Sequence, residues 1–331
     1  MWNAFKRFVS LILMGIAGLA AWTTWFALSP VQLPGPSLEF SITPGSSLRA
    51  ATRQIIYAGV VMPAWQFNLL ARVAARDTAI KAGSYEISQG ITPWQIVRKT
   101  MQGDVSQAGI VLIEGWTFRQ IREAMAAHRD LRHDSDALSD AVLMERLGEP
   151  RGSPEGWFFP DTYLFAKGES DLAVLARAHR AMQKHLESVW QKRTPASPLR
   201  TPYDALILAS IVEKETGRSE DRAMIAAVFI NRLRIGMRLQ TDPTVIYGLG
   251  EKFDGNLRKR DLEADHRFNT YTRDGLPPSP IAMPGLASLL AVVEPAKTSA
   301  IYFVARGDGS SAFSTTLEEH TRAVAKFQLK R

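Results

Sequence analysis

The sequence predicts an α+β protein that is attached to a membrane by one N-terminal helix. Three observations support this prediction: an uncharged stretch near the N terminus, short strand-like segments followed by amphipathic helices, and a globular composition. Of 331 residues, 46% are apolar and 22% are charged, which is typical of globular proteins. A chain of this length is enough for about two domains.

The first element is the apolar stretch at 8–28, FVSLILMGIAGLAAWTTWFAL, which follows Lys6 and Arg7. About 20 apolar residues match a bilayer core, whereas the apolar part of a signal peptide usually has about 7–15. Trp22 and Trp25 lie toward its far end, where aromatic belts form. The alternative, a cleaved signal peptide, is disfavoured by this length and by the lack of an A-x-A site. We therefore predict an uncleaved anchor at 1–29, with 30–331 outside the cytoplasmic membrane.

The net charge of +7 suits nucleic acid, anionic lipid or an acidic polymer such as a cell-wall glycan. No Lys/Arg run resembles a nucleic-acid-binding arm, so nucleic acid is not an expected partner. The chain has no cysteine, which excludes disulfides, thiolate metal sites and a cysteine nucleophile.

A Pro/Gly-rich stalk at 30–37 separates the anchor from the body. A strand-like segment then leads to a helix that Ser46 or Ser47 can cap, and the pattern recurs with a strand and a helix beginning at Thr92-Pro93. Together these elements predict a small β/α subdomain at 38–105.

The remainder, 106–331, is predicted to be a second domain. It begins with a buried strand and a helix capped near Thr117, followed at 130–154 by a helix pair with loops. An aromatic-rich segment, EGWFFPDTYLF, occupies 155–165, and an amphipathic basic helix follows at 171–193.

The segment ASIVEKET carries two glutamates at the end of an otherwise apolar helix. Pro202 marks the start of this helix and Gly217 its C-cap, so we predict a helix over 202–216. At about 100° per residue, Glu213 and Glu215 lie about 160° apart, on nearly opposite faces. They are therefore not a paired carboxylate dyad.

Glu215 shares its helix face with Leu208 and Ile211. A carboxyl group on an apolar stripe takes up a proton more readily, and such a group is a serviceable general acid near neutral pH. The alternative is a helix-end glutamate that is solvated or paired with Lys214 or Arg218. Helix geometry alone leaves both interpretations open.

Ser219 and Gly236 delimit the next helix, whose apolar run indicates core packing without chemistry. Two further segments follow it, 237–250 and 265–285. The second has polar and aromatic residues and four prolines, which suits the lining of a sugar-binding groove. The alternative interpretation is a long surface loop.

Several motifs in fixed order resemble the YceG-like family of membrane-anchored endolytic murein transglycosylases (MltG). These are EGWFFPDTY (155–163), LASIVEKET (208–216), VFINRL (228–233), RLQTDPTVIYG (238–248), NTY (269–271) and GLPP (275–278). The resemblance covers nearly the whole chain. One departure is Ser279, where the family usually has glycine, which raises the question whether that position needs a positive φ.

The resemblance implies a LysM-like subdomain at 38–105 and a lysozyme-like transglycosylase catalytic domain at 106–331. It also implies a single catalytic glutamate followed by a small hydroxyl residue. That signature falls on Glu215-Thr216, whereas Glu213 is followed by Lys214 and fits poorly. Glu215 is thus the expected catalytic acid, with Glu213 as its rival.

The expected reaction is cleavage of the β-1,4 bond between N-acetylmuramic acid (MurNAc) and N-acetylglucosamine (GlcNAc), giving a 1,6-anhydro-MurNAc end without water. One residue acts as acid and then as base, unlike the two-carboxylate glycosidases. No cofactor or metal is implied. The residues expected to hold the glycan are Gln240, Thr241, Asp242, Asn269 and Tyr271, with Glu155, Asp161 and Tyr163 as weaker candidates.

Lys6 and Arg7 on the short N-terminal side predict that this side stays in the cytoplasm, which gives an inner-membrane protein with a periplasmic catalytic domain. An enzyme tethered near the bilayer meets new strands first, so termination of nascent strands beside peptidoglycan synthases is the corresponding hypothesis. Three alternatives remain: a hydrolytic muramidase with Asp242 as base, a non-catalytic glycan-binding scaffold of the wall-synthesis machinery, and a metal hydrolase. The last is disfavoured because the six histidines show no ligand spacing such as H-E-x-x-H.

Overall fold

A computed structural model describes residues 2–74, 80–149, 152–215 and 218–328. The architecture is mixed helix and sheet, as the sequence predicts. The chain forms two compact units, one reaching from the N terminus to Ala108 and including Leu164–Glu169, the other comprising Gly109–Tyr163 and the chain from Ser170 onward.

Up to Ala108, the described residues of the first unit form two complete strands and four helices. These are α1 (Trp2–Leu28), β1 (Ser37–Ile42), α2 (Leu48–Tyr57), α3 (Ala64–Ala74), β2 (Gly83–Ser88) and α4 (Pro93–Gln102). The strands are antiparallel, with Leu38 opposite Ile87 and Phe40 opposite Tyr85. Phe40, Tyr85 and Ile87 are buried in the core of this unit.

Local sequence signals account for the helix starts in this unit. Ser47 accepts a hydrogen bond from the backbone of Ala50 at the start of α2. Thr92 and Gln95 form a reciprocal capping box at the start of α4, and Gly103 ends that helix with φ 72°.

The rest of the chain holds six short strands, nine α-helices and a 3₁₀ turn at Gly250–Lys252 within the described residues. The elements up to the central helices are β3 (Gln107–Val111), α5 (Phe118–Ala126), β4 (Leu131–Arg132), α6 (Asp140–Arg146), β5 (Thr162–Ala166), β6 (Glu169–Ser170) and α7 (Asp171–Trp190). The remaining elements are α8 (Pro202–Glu215), α9 (Ser219–Arg234), α10 (Asp242–Leu249), α11 (Lys259–Glu263), α12 (Leu286–Val293), β7 (Tyr302–Ala305), β8 (Ser311–Ser314) and α13 (Leu317–Phe327). The strands pair as β3–β5, β4–β6 and β7–β8.

Helix α8 is the central helix of the second unit. Eight consecutive residues, 205–212, are buried, so no side of the helix faces water over two turns. Helices α7, α9, α10 and α12 pack against it. This arrangement explains a segment that is apolar all round.

One sequence-based assignment differs from the structure, and one segment without an assignment forms a helix. The segment 130–154 forms the short strand β4 and only one helix, α6, within the described residues. The segment 237–250 contains α10, which begins at Asp242-Pro243. The predicted C-cap Gly217 and the signature residue Thr216 lie outside the described residues.

Candidate active site

Glu215 is the last described residue of α8, just beyond the eight buried residues of that helix. Its carboxyl oxygen Oε1 accepts a short hydrogen bond from the hydroxyl of Thr241. The residue keeps partial solvent exposure, although protein atoms surround the carboxyl group. Desolvation is the largest cause that raises the pKa of Glu215 to about 7, and the hydrogen bond from Thr241 opposes it. A large share of Glu215 is therefore protonated at neutral pH.

Thr241 occupies the N-cap position of α10 but does not cap the helix with its side chain. Its hydroxyl donates to Glu215 instead. The Thr241 backbone nitrogen donates to Thr270 Oγ1 at 3.1 Å, and that oxygen lies 2.9 Å from the hydroxyl of Thr244. The Thr241 hydroxyl thus orients Glu215 instead of capping α10, although such a cap typically stabilises a helix by about 1 kcal/mol.

Asp242 is the next residue and lies exposed at the start of α10. Tyr271 donates its hydroxyl to Asp242 Oδ1 at 2.5 Å. The negative charge of Asp242 contributes to the raised pKa of Glu215. Burial raises the pKa of Tyr271 above its ordinary value, so its hydroxyl stays a donor at neutral pH. Asp242 and Tyr271 are therefore coupled to each other and act electrostatically on Glu215.

Gln240 has the one positive φ (48°) among the described non-glycine residues. Its backbone nitrogen donates to Thr270 at 3.1 Å, which holds the strained turn beside Thr241. Its side chain is exposed and has no protein hydrogen bond within the described part of the chain. Backbone strain of this kind clusters at ligand-binding sites, and the exposed amide is free to contact a sugar.

Arg232 was not recognised as part of the site from the sequence. It is 7% exposed, and its guanidinium donates from Nε to Ile301 at 2.7 Å and from Nη1 to Leu239 at 2.5 Å. In the described ranges no carboxylate lies within 4.0 Å of it. Its charge lowers the pKa of Glu215. The sequence signal that could have identified Arg232 is its position in α9. It follows Phe229 by three residues and Val228 by four, which places it on the buried stripe of the helix.

Asn269 is fully buried and bonds only to the backbone. Its Nδ2 donates to Leu262 at 2.9 Å and to Ala264 at 2.7 Å, while its Oδ1 accepts from the Tyr271 nitrogen at 2.8 Å. These bonds shape the loop that carries Thr270 and Tyr271.

Glu155 is buried and connects two helices. Its Oε1 accepts from the Phe118 nitrogen at 3.0 Å and its Oε2 accepts from the Tyr247 hydroxyl at 3.0 Å. The pKa of Glu155 is raised to about 7. Desolvation is the largest cause, and the two hydrogen bonds act in the opposite direction. Glu155 thus joins the start of α5 to α10.

Two further candidates from the same motif lie in β5 or just before it. The Tyr163 hydroxyl donates to Phe159 at 2.8 Å from a buried position. The Asp161 side chain is exposed and accepts from the Thr162 nitrogen at 2.7 Å.

Glu213 lies on the other side of α8 from Glu215. Its Oε2 accepts from the Gly285 nitrogen at 2.9 Å, and its Oε1 lies 3.7 Å from Nη2 of Arg222. Its side chain is only 7% exposed. The two glutamates therefore contact different elements, which is what their helical spacing predicts.

Ser279, the departure from the family pattern, does not have a positive φ. It is buried, and its hydroxyl donates to the carbonyl of Pro280 at 3.1 Å. Serine therefore fits this backbone without strain.

A possible metal-binding group lies elsewhere, where ligand atoms of His133, Asp136 and Asp171 come within 4.8 Å of one another. The Asp171 carboxylate already accepts from the nitrogen and hydroxyl of Ser135. Nothing else points to an ion there.

Comparison with known proteins gives consistent matches. The YceG-like family profile matches residues 40–326. The endolytic murein transglycosylase of Bacillus subtilis is 30% identical over 321 residues, covering 91% of this chain and 88% of the relative. A protein of the same name from Streptococcus pneumoniae is 28% identical over 319 residues, covering 86% of this chain and 57% of its own length. The crystal structure of a yceG-like protein from Listeria monocytogenes has 32% identity and a TM-score of 0.54, covering 87% of this chain and 98% of that one. The chain belongs to the YceG-like family.

Proposed function

We propose that the protein is an endolytic peptidoglycan lytic transglycosylase with Glu215 as its single acid and base. The observation that supports this most directly is a largely desolvated carboxyl group with a pKa of about 7, oriented by a hydrogen bond from Thr241. The names of the relatives support the substrate class, because both curated relatives described above are called endolytic murein transglycosylases.

In the first step, protonated Glu215 gives its proton to the glycosidic oxygen between MurNAc and GlcNAc. The C1–O4 bond breaks as the oxygen of the MurNAc acetamido group bonds to C1. The GlcNAc hydroxyl leaves with the proton, and Glu215 becomes a carboxylate. The nearby Arg232 cation favours this ionised form, since its charge lowers the pKa of Glu215.

In the second step, the Glu215 carboxylate takes the proton of the MurNAc 6-hydroxyl while O6 attacks C1. The acetamido oxygen is released, and a 1,6-anhydro ring closes. Glu215 regains its proton, and no water is consumed. The cycle therefore needs one carboxyl group whose pKa lies near the working pH.

This scheme gives Asp242 no role as a base. A hydrolytic muramidase would need a second carboxylate to activate water. Asp242 accepts the Tyr271 hydroxyl at 2.5 Å. We infer that the pair binds sugar hydroxyls together with Gln240.

The other candidate residues act on the geometry of the site. Asn269 holds the loop of Thr270 and Tyr271, and Glu155 ties α5 to α10. Tyr163 secures the backbone of its own motif. We propose them as positioning residues.

We further propose a single-pass inner-membrane protein with a LysM-like first unit and a lysozyme-like catalytic unit in the periplasm. Val9–Leu28 is long and apolar enough to cross a membrane. The end of α1 belongs to the first unit, since Ala27 is buried and Phe26 packs against its core. Cleavage there would remove part of the folded unit. Action on nascent strands next to synthases is the corresponding cellular hypothesis.

Mass spectrometry of products tests the proposal. The full chain in detergent would be incubated with purified glycan strands, beside Glu215→Gln and the matched variant Glu213→Gln, whose amide oxygen can still accept from Gly285. Anhydro-MurNAc ends that disappear only with Glu215→Gln are expected. Reducing ends would instead establish a hydrolase. Tight binding without cleavage by the wild type would establish the scaffold alternative.

A further inference from the structure

Helix α3 has an exposed apolar stripe that the catalytic proposal does not use. Trp65, Leu69 and Val73 are 58%, 40% and 72% exposed. They are spaced by four residues and lie within about 80° of one another around the helix. The opposite side, with Phe67 and Ala71, is buried in the core of the first unit. The helix is therefore apolar on both sides although only one is covered by its own unit.

The stripe faces the end of the apolar helix α1. An apolar groove of about 500 Å³ lies between them, lined on the α1 side from Leu19 to Leu28. The rings of Trp22 and Trp65 have centroids 5.3 Å apart. The hydroxyls of Thr23 and Thr24 donate to carbonyls of the preceding turn, at 2.9 and 2.8 Å. These polar atoms of the groove are thus satisfied within α1.

The length of α1 indicates what covers this groove. Its candidate span, Val9–Leu28, has 20 residues and is about 30 Å long, close to the thickness of a bilayer core. The groove begins at Leu19, so α3 lies beside the last ~14 Å of the span. Because the ring centroids of Trp22 and Trp65 are 5.3 Å apart, Trp65 lies within that distance of the depth of Trp22, which is inside the candidate span.

We propose that α3 lies in the interface between water and the bilayer that α1 spans, at the C-terminal end of α1. Trp65, Leu69 and Val73 would then be in contact with lipid acyl chains. This inference rests on the proposed role of α1 as a membrane anchor. The first unit would then be held on the bilayer by two helices, one that spans the membrane and one that lies in its surface.

Charge and aromatic residues around the stripe fit a lipid surface. Trp94 of α4 lines the same groove and is 41% exposed, and Arg98 follows it by one helical turn. Arg72 is exposed beside Val73. Tryptophan rings prefer the headgroup region, and arginine is attracted to anionic lipid phosphates. A lipid surface provides the environment that both kinds of side chain prefer. The groove, by contrast, offers few polar groups for specific recognition of a protein.

Site-directed fluorescence on the full chain tests this proposal, and the lack of cysteine gives a clean background. An environment-sensitive dye would be attached through Leu69→Cys or Val73→Cys in nanodiscs that contain anionic lipid and one chain each. Leu13→Cys, within the candidate span, reports whether α1 is inserted, and Arg322→Cys on α13 is the reference for full exposure. The expected result is quenching by shallow nitroxide-labelled lipid at 69 and 73, with about threefold or greater protection from aqueous iodide relative to 322.

The other outcomes separate the possible failures. If the dye at 13 is quenched by lipid while 69 and 73 behave like 322, the α3 proposal is wrong and the anchor stands. If 13 is also accessible to iodide, the anchor itself is wrong. Protection at 69 and 73 without lipid quenching would show that protein covers the groove, which overturns the proposal. A loss of lipid quenching at 69 on adding Val73→Asp is expected as a final check.

Discussion

At the scale of single residues, the protonation of Glu215 is determined by three neighbours with opposite effects. Desolvation and the charge of Asp242 raise the pKa, whereas Thr241 and Arg232 lower it. The result is a group with a pKa of about 7, ready to donate a proton and then to accept one. The pH dependence of the reaction should therefore respond to each neighbour separately.

The first prediction concerns the alkaline limb of the pH profile. Activity of the wild type should fall about tenfold per pH unit above 7, as Glu215 loses its proton. Asp242→Asn removes a charge that raises the pKa of Glu215, so the limb should move to lower pH by less than about one unit. The Asn oxygen can still accept from Tyr271. The measurement is kcat/KM between pH 5 and 9.

Asp274→Asn is the matched control, since Asp274 is an exposed partner of Arg238 at 2.8 Å and should leave the limb in place. If Asp242→Asn abolished activity at every pH, Asp242 would be a catalytic base, and the one-carboxylate scheme would be wrong.

A second prediction concerns stability. The pKa of Glu215 is raised in the folded state, from an ordinary value of 4.5 to about 7. The folded chain then binds more protons than the unfolded chain between these values, so its stability falls as the pH rises through that window. In Glu215→Gln the new side chain stays neutral at every pH, so the variant does not lose folding stability as the pH rises through this window. It should be more stable than the wild type by about 1–2 kcal/mol at pH 8, after discounting for the partial exposure of the residue, and nearly equal at pH 4.5.

Urea unfolding at both pH values measures this difference. A stability change of the same size at pH 4.5 and pH 8 would show that ionisation is not its cause. The catalytic variant would thus be inactive and yet more stable, which is common where an active site stores strain or buried charge.

At the scale of elements, local signals were sufficient where the sequence caps its own helices. Helices α4 and α5 begin where Thr92 and Thr117 predict, and both threonines form capping boxes. The opposite placement of Glu213 and Glu215 also follows from helical spacing alone. By contrast, α10 is short, and α12, LASLLAVV, is apolar throughout, so periodicity cannot distinguish a helix from a strand there.

The site needed more than local signals because its residues come from distant segments. The bond between Thr241 and Glu215 joins residues 26 positions apart, and the one between Tyr271 and Asp242 joins residues 29 apart. No window of the sequence contains these contacts. Family motifs indicated the residues, but the diversion of the Thr241 hydroxyl from its cap is visible only in three dimensions.

A third prediction concerns the packing of Gly156, in the EGWFFPDTY motif, against the 265–285 loop. Gly156 has φ 84°, and a Cβ added there would lie 2.5 Å from Cβ of Pro280 in the 265–285 loop. Gly156→Ala should therefore cost about 2–4 kcal/mol, from backbone strain together with the clash. Urea denaturation measures it. Gly168→Ala is the control, because Gly168 has φ 80° and open space around it, and should cost only about 1–2 kcal/mol. Equal losses would show that the contact with Pro280 is unimportant.

At the scale of the whole molecule, the segment that follows α1 is part of the first folded unit. Val31 lies in the core of this unit and its nitrogen donates to Ile91 at 2.9 Å. Gln32 forms an antiparallel bridge with Val61. The Pro/Gly-rich segment at 30–37 was predicted to be a stalk that separates the anchor from the body. Its first residues instead pair with the body through these contacts.

The final prediction follows from this pairing. A chain that begins at Ser29 keeps Val31 and Gln32, whereas one that begins at Leu33 loses a buried side chain and the backbone pairing around it. The shorter chain should lose about 1.5–3 kcal/mol of local stability in the first unit, since a buried Val is worth about 1.5 kcal/mol or more and its hydrogen bond about 1. Hydrogen exchange of amides in β2 and α4 should then be about 10- to 100-fold faster. Amides of α8 and α12, which belong to the other core, should exchange equally in both chains and serve as the internal control. Equal protection of β2 and α4 in the two chains would show that 29–32 is a passive linker. Faster exchange confined to the first unit would mean that residues 29–32 are part of the fold of this unit.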